Sequence, residues 1–362
     1  MNLRVTETKK KTMYEFHKVK IKKIQQETAN AVIWTLDIPV YYKPTFIWQA
    51  GQHLTFKKEV NGEEIRRSYS IFNPANSDDI KVLIKKVDDG QFSEPAQSQY
   101  KVGDTVEVMA PTGHFVMVPQ DDKNYAMFAA GSGITPIMGM IHEVLNNSNS
   151  HINLYYGNST VESTLLKTQL ADFKDQYPSR LSISYFLSQE PIDVELYAGR
   201  IDAKKVMKIF NNELDHIDIA GYFLCGPGGM IDEVKSVLAE NGVDESIIHS
   251  EQFLSDGQVM SEKKKTATLD SGVMVTIDGV TSRYEIKQGE DKTLLDAALV
   301  AKIKMPYSCK AGVCATCRCK LVEGEVEMLN NYSLEDWELK KGYILSCQSL
   351  PKTKKIVIDY DG

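Results

Sequence analysis

Tyr307-Ser308-Cys309-Lys310-Ala311-Gly312-Val313-Cys314-Ala315-Thr316-Cys317-Arg318-Cys319-Lys320 sets three cysteines at C-x4-C-x2-C spacing, and Leu345-Ser346-Cys347-Gln348 supplies a fourth. Four thiolates so spaced are the ligand pattern of a [2Fe-2S] cluster. Such a centre needs a tight loop of small residues whose backbone N–H groups can point at the sulfurs. Ala311, Gly312, Val313, Ala315 and Thr316 meet that need, so Cys309, Cys314, Cys317 and Cys347 are the expected metal ligands. Structural zinc is the rival reading, but it favours C-x2–4-C knuckles, and this loop makes an awkward tetrahedron. Cys319 reads as a buried thiol in the strand leaving the loop, and Cys225 stands alone upstream. Clustered cysteines without an export signal indicate metal binding or catalysis rather than disulfides.

Outward from that loop, 273–277 and 283–287 alternate around Asp278-Gly279 and predict a hairpin. Residues 293–302 predict a helix with Leu294, Leu295, Ala298 and Leu299 on one face, and 356–358 a last strand, so 271–362 is a small α+β domain. Before it, 255–270 is polar, carries Lys263-Lys264-Lys265 and reads as a linker. Residues 121–254 alternate strand and helix: strands at 125–130, 152–156, 181–187 and 221–224, helices at 136–145, 164–174, 203–211 and 230–240. That series makes a doubly wound α/β domain. In 14–120, β-rich runs at 31–38, 53–57, 80–86 and 105–110 are broken by Asn61-Gly62, Asn73-Pro74, Asp89-Gly90 and Gly103-Asp104, the spacing of an antiparallel barrel. The first thirteen residues, with Lys9-Lys10-Lys11, read as a solvated tail.

Composition agrees with several folded domains. The 362 residues exceed what one hydrophobic core supports, and 42% hydrophobic with 25% charged residues excludes wholesale disorder. A formal net charge of −7 gives no footprint for nucleic acid. No apolar run is long enough to span a membrane, and the Lys-rich start lacks the stretch of a secretory signal, so a cytoplasmic protein is expected.

Two pairs of short motifs carry the remaining chemistry. Arg66-Arg67-Ser68-Tyr69-Ser70 offers a phosphate partner, a ring to stack and a hydroxyl, which suits a flavin nucleotide; a half-exposed polar strand would read the same. Gly90-Gln91-Phe92-Ser93 opens a short helix whose free N–H groups suit a diphosphate, or is simply a turn before that helix. Ala130-Gly131-Ser132-Gly133-Ile134-Thr135-Pro136 joins the first α/β strand to its helix. Its glycines permit a tight turn under a pyrophosphate, with Thr135 expected to cap the helix and Pro136 pre-set for the first turn. Cys225-Gly226-Pro227-Gly228-Gly229-Met230 falls at the C-terminal end of a later strand, the ligand edge of doubly wound sheets, where a structural cysteine is an equal reading.

Taken in this order, R-x-Y-S, G-x-x-S, G-x-G-x-T-P and C-G-P-x-x-M resemble the ferredoxin–NADP reductase superfamily, and the appended cysteine domain resembles its oxygenase-reductase branch. The resemblance covers nearly the whole chain from Tyr14. It implies an FAD-binding β-barrel, a Rossmann-like NAD(P)-binding domain and a C-terminal β-grasp ferredoxin domain. It also implies electron flow from NAD(P)H through FAD and the cluster to an oxygenase acting on aromatic or aryl-CoA compounds, with other ring- or steroid-hydroxylating oxygenases as alternatives. Residue by residue, Arg67 would hold the flavin phosphate, Tyr69 stack on the ring, Ser70 approach N5 beside Ser68, and residues 90–93 bind the diphosphate. Gly131, Gly133, Thr135 and Pro136 would take the nicotinamide nucleotide's pyrophosphate; Cys225, with Gly226 and Pro227, would lie at the nicotinamide. Tyr69, Ser70 and Cys225 are thereby placed at the reacting atoms. Where the family often has Arg after Tyr156-Gly157-Asn158, this chain has Ser159, so NADH is expected to serve at least as well as NADPH. A zinc-binding interaction module and a redox sensor without turnover are the readings from other classes.

Overall fold

The computed structural model describes residues 15–75, 77–253 and 266–362. The expected N-terminal tail and the Lys263-Lys264-Lys265 part of the expected linker lie outside these residues. Among the described residues, 17–65 and 69–253 belong to one compact unit, and 266–362, with 15–16 and 66–68, to another.

The first unit begins with strands β1 (Phe16–Thr28), β2 (Ala31–Asp37), β3 (His53–Val60), β4 (Glu63–Ser70), β5 (Ile80–Lys85) and β6 (Thr105–Met109), in sheet order β4-β3-β6-β1-β2-β5. A bridge between Ile71, just past β4, and Val82 of β5 joins the ends of that order and closes the barrel. Closure leaves no free edge to pair with another chain. Trp34, Leu36, Leu54, Phe56, Val82, Ile84 and Val108 fill the interior. Strand β1 is absent from the runs read in the sequence. Its lysines and glutamines face water, only His17, Val19 and Ile21 are buried, and register shifts at Ile21/Lys23 and Gln26/Thr28 break the alternation that marks a strand.

The α/β part contains β7 (Asn124–Ala130), β8 (His151–Asn158), β9 (Leu181–Leu187), β10 (Ile219–Gly226) and β11 (Ile248–Gln252), all parallel, in order β11-β10-β7-β8-β9. Numbered within the domain this is the 3-2-1-4-5 doubly wound order read from its far edge, and its switch point lies between β7 and β10. Helix α1 (Ser93–Ser98) belongs to the barrel; α2 (Ile134–Asn147), α3 (Lys167–Gln176), α4 (Ala203–Ile209) and α5 (Gly228–Glu240) flank the parallel sheet. Helix α2 is buried on most of its surface, including Ile137, Met138, Ile141, Val144 and Leu145. It lies between sheet and barrel: a Cβ on Gly139 would stand 3.0 Å from the Ile71 carbonyl oxygen, so the glycine lets the helix rest closely on the segment that follows β4.

The second unit has β12 (Ser271–Ile277), β13 (Val280–Ile286), α6 (Leu294–Val300), β14 (Arg318–Glu323), β15 (Val326–Met328), α7 (Asp336–Lys340), β16 (Tyr343–Leu345), β17 (Ser349–Pro351) and β18 (Lys355–Asp359). Its sheet runs β13-β12-β18-β14-β16, with β12 and β18 parallel, and β15 pairs with β17 separately. The hairpin expected around Asp278-Gly279 is present, and both residues have positive φ, 51° and 74°, the type I′ geometry that Asp-Gly favours. Leu294, Leu295 and Ala298 are buried as their helical spacing requires, and the Thr293 hydroxyl caps the helix by accepting from the Asp296 amide at 3.2 Å. Ala267, in the polar stretch ahead of β12, is buried and donates its amide to the Glu290 carbonyl at 2.9 Å.

Candidate functional site

In the second unit the cysteine loop runs from Cys309 to β14 with backbone φ positive at Lys310 (53°), Gly312 (77°) and Ala315 (51°). These turns bring the four expected ligands together in two neighbouring pairs, Cys309 with Cys314 and Cys317 with Cys347. Two pairs suit two irons. Backbone amides aim at the sulfurs: Ala311 N–H donates to Cys309 Sγ at 3.3 Å, the Val313 amide also reaches Cys309, and the Gly312 amide reaches Cys347. The neighbouring Cys314, with these amides, holds the Cys309 thiol below its usual range, and Cys309 together with burial raises that of Cys314. The donor set thus fits a [2Fe-2S] group.

Several residues brace this loop that no spacing rule identified. Gln348 Nε2 donates to the carbonyls of Lys310 at 2.9 Å and Cys347 at 3.0 Å, and its Oε1 accepts from Asn330 at 3.0 Å. The Thr316 hydroxyl is 3.2 Å from Cys314 Sγ, and the Tyr360 hydroxyl donates to the Cys317 carbonyl at 3.4 Å. Adjacency to a ligand was the only signal, and only Thr316 and Gln348 have it. Cys319 is buried in β14 as expected, and burial pushes its thiol up. Of the loop's cations, Arg318 is committed internally: it pairs with buried Glu338 at 2.6 Å and its guanidinium lies 3.5 Å from the Tyr343 ring centroid. Lys310 pairs with Asp296 at 3.0 Å, and Lys320 is exposed.

In the first unit the structure brings the two nucleotide motifs together. A Cβ on Gly133 would fall 2.2 Å from the Cys225 carbonyl oxygen and 2.9 Å from the Gly226 amide, so the glycine loop after β7 lies directly on the end of β10 at the switch point. Gly131 has φ 53° with open space where a side chain would be, and its carbonyl accepts from Tyr156 at 3.1 Å. This open glycine at the start of a fourteen-residue helix suits a pyrophosphate. Thr135 is not the helix cap: Gly133 occupies that place, and the Thr135 hydroxyl donates back to the Ser132 carbonyl at 2.9 Å because the helix begins two residues earlier than its sequence implies. Pro136 does sit in the first turn. Cys225 is fully buried; burial first and the Glu251 carboxylate second push its thiol well above the usual range, so it stays protonated. Gly226 and Pro227 lead directly into α5.

On the barrel, Arg67 and Tyr69 alternate onto one face of β4; Arg67 is exposed, Tyr69 half-buried and Ser70 buried. The Tyr69 ring is braced edge-on by Phe56 at 5.7 Å and lies 5.7 Å from Phe92. Phe92 itself is core, and the Ser93 hydroxyl accepts from the Val87 amide at 3.1 Å, so these two shape the turn while Gly90 and Gln91 face outward. They line an open cleft of about 760 Å³ whose charged lining is one lysine, Lys58, and three carboxylates, Glu59, Asp89 and Glu94. Since β4 runs into Ile71, against which Gly139 of α2 rests, the R-x-Y-S strand and the pyrophosphate helix share one packed junction. The exposed Arg67 guanidinium and the braced Tyr69 ring are the features of this face that fit a flavin nucleotide.

Comparison with known proteins agrees. Residues 18–117 match an oxidoreductase FAD-binding domain, 127–236 an oxidoreductase NAD-binding domain and 275–352 a 2Fe-2S iron-sulfur cluster binding domain. The chain is 39% identical over 352 residues to a 1,2-phenylacetyl-CoA epoxidase component of Escherichia coli (strain K12), covering 96% of this chain and 99% of that one. It is 29% identical to the ferredoxin reductase component of 3-ketosteroid-9-alpha-monooxygenase from Rhodococcus rhodochrous, covering 93% and 95%. The solved structure of phthalate dioxygenase reductase shares the fold at a TM-score of 0.57 and 22% identity, covering 95% of this chain and 98% of that one. Among the described residues no helix is long and apolar enough to cross a membrane. The chain belongs to the ferredoxin–NADP reductase superfamily, in the branch of oxygenase reductases that join FAD-binding, NAD-binding and [2Fe-2S] domains, and it is an NAD(P)H-dependent flavin iron-sulfur oxidoreductase.

Proposed function

We propose that this reductase serves a cytoplasmic multicomponent oxygenase acting on an aryl-CoA thioester of the phenylacetyl-CoA type. The observation that carries this is the end-to-end 39% identity with the 1,2-phenylacetyl-CoA epoxidase component. The three domains are taken as 14–120, 121–254 and 271–362, with 255–270 between the last two.

When bound, flavin takes the two electrons of a hydride together and releases them singly to a one-electron centre, which is why both groups are needed. The chain's part is placement. Arg67 neutralises flavin phosphate, Tyr69 presents its braced ring to the isoalloxazine, and Ser70 offers a hydroxyl near N5, with Ser68 beside it. Gly90 and Gln91 present backbone to the diphosphate, while Phe92 and Ser93 hold the turn's shape. Gly131 and Gly133 admit the nicotinamide nucleotide's pyrophosphate, with Thr135 and Pro136 fixing the start of α2. Cys225, kept neutral by burial, and Gly226 with Pro227 form the floor against which the nicotinamide lies. Cys309, Cys314, Cys317 and Cys347 are the cluster ligands.

The test is reconstitution. Purified reductase mixed with a phenylacetyl-CoA oxygenase component should consume NAD(P)H in step with phenylacetyl-CoA. Coupling only to a steroid-hydroxylating component, the second reading supported by the Rhodococcus relative, would replace the substrate assignment.

A further inference from the structure

One side chain joins the two cysteine pairs of the second unit. Gln348 follows Cys347 and is buried; its Nε2 donates to the Lys310 carbonyl at 2.9 Å and the Cys347 carbonyl at 3.0 Å, and stands 3.8 Å from Cys347 Sγ. Lys310 follows Cys309, so a single primary amide spans both pairs. A chain of hydrogen bonds fixes which end of that amide faces the cysteines. Two carbonyls accept on one side, so the NH2 group must lie there. On the other side Gln348 Oε1 accepts from Asn330 Nδ2 at 3.0 Å, and Asn330 Oδ1 accepts from the Tyr332 hydroxyl at 3.2 Å. The main chain is pinned as well: the Gln348 amide donates to the Leu345 carbonyl at 2.9 Å, and its carbonyl accepts from the Leu329 amide at 2.8 Å. The loop rests on the Gln348 stem, since a Cβ on Gly312 would stand 3.1 Å from Gln348 Cγ.

We propose that Gln348 is a positioning residue for the [2Fe-2S] group, one that raises its reduction potential. The amide holds the Cys309–Cys314 loop at a set distance from Cys347 and keeps an N–H dipole beside the Cys347 sulfur. Reduction of such a group adds negative charge, and N–H dipoles directed at ligand sulfurs favour the more negative state. Cys314, Cys317 and Cys347 are buried, and in a medium of low dielectric each dipole counts for more than it would in water. A glutamate of the same shape could still accept from Asn330, but it would offer no N–H and would set a carboxylate against two carbonyls and a thiolate.

This inference rests on the ligand set proposed above, and the experiment separates the two. The full chain is titrated potentiometrically, the cluster followed by its visible and EPR spectra and the flavin couple serving as internal reference. Gln348→Met should raise the oxidised-to-reduced ratio of the cluster at a fixed potential by about tenfold, a fall of about 59 mV for a one-electron couple, and leave the flavin couple in place. Gln348→Glu should lower the potential at least as far. Ser333→Ala is the control: it removes another brace of the loop, the Ser333 hydroxyl's bond to the Gly312 carbonyl at 3.1 Å, and should leave the potential where it is. Should Gln348→Met be isolated without its cluster, Asn330→Ala takes its place; it frees the Gln348 amide to turn and must move the potential in the same direction. An unmoved potential in a Gln348 variant that keeps its cluster, or in Asn330→Ala, or an equal fall in Ser333→Ala, would overturn the inference while leaving the four ligands intact. Absence of iron and acid-labile sulfide from wild type would overturn both.

Discussion

At Gly133 one hydrogen in place of a methyl decides whether two motifs can meet. Gly133→Ala would drive a Cβ into the Cys225 carbonyl, so the loop and the end of β10 must separate. The KM for the nicotinamide nucleotide should rise about tenfold or more while bound flavin stays constant, as read by stopped-flow reduction and flavin content. Arg67 presents the opposite case, an exposed residue whose worth is its charge. Arg67→Ala should weaken FAD by about 1.5–3 kcal/mol, roughly ten- to a hundredfold, in a fluorescence titration of apoprotein; unchanged affinity would remove Arg67 from the flavin site. Cys314→Ser should abolish iron and acid-labile sulfide and keep flavin. Stoichiometric zinc without iron in anaerobically prepared wild type would refute the cluster assignment.

At the scale of elements, helix α2 couples barrel to sheet and also carries a pH sensitivity. His142 lies edge-on to Phe173 at 4.6 Å, and burial, aided by the charge of Lys81, lowers its pKa from 6.5 to about 4; burial does the same for His53 at the start of β3. A folded value below the unfolded one means the neutral imidazole is favoured in the native state. The stability it contributes is full above pH 6.5 and is lost as pH falls toward 4. Thermal melting should therefore drop over that window, and His142→Phe should flatten the drop; an equal slope in the variant would exclude His142 as a source. These elements were legible to different depths. Apolar runs such as 125–130 and 152–156 announced themselves because central parallel strands are buried on both faces. Strand β1 did not, because its polar residues face water and its bulges spoil the period. The four ligands were readable from spacing, whereas Gln348, Asn330 and Tyr360 were not, since they act through contacts that only the folded loop creates.

Over the whole molecule, the division after the α/β part predicts separable activities. A chain ending at Asp256 should fold, retain FAD and oxidise NAD(P)H with a two-electron quinone acceptor, yet lose reduction of cytochrome c and of the oxygenase. Full-rate oxygenase turnover by that shortened chain would refute the order of electron flow. The pairing of the cysteines bears on how the second unit matures. Cys309 and Cys314 share one short loop, while Cys317 reaches its mate Cys347 only after β14, β15, α7 and β16 have been laid down between them. One half of the cluster is thus a local clasp that a nascent chain can offer early; the other is a long-range seam that exists only once β14 and β16 are zipped together. Metal loss should follow the same asymmetry, with the Cys309/Cys314 side opening without disturbing the sheet and the Cys317/Cys347 side yielding only when the domain itself comes apart.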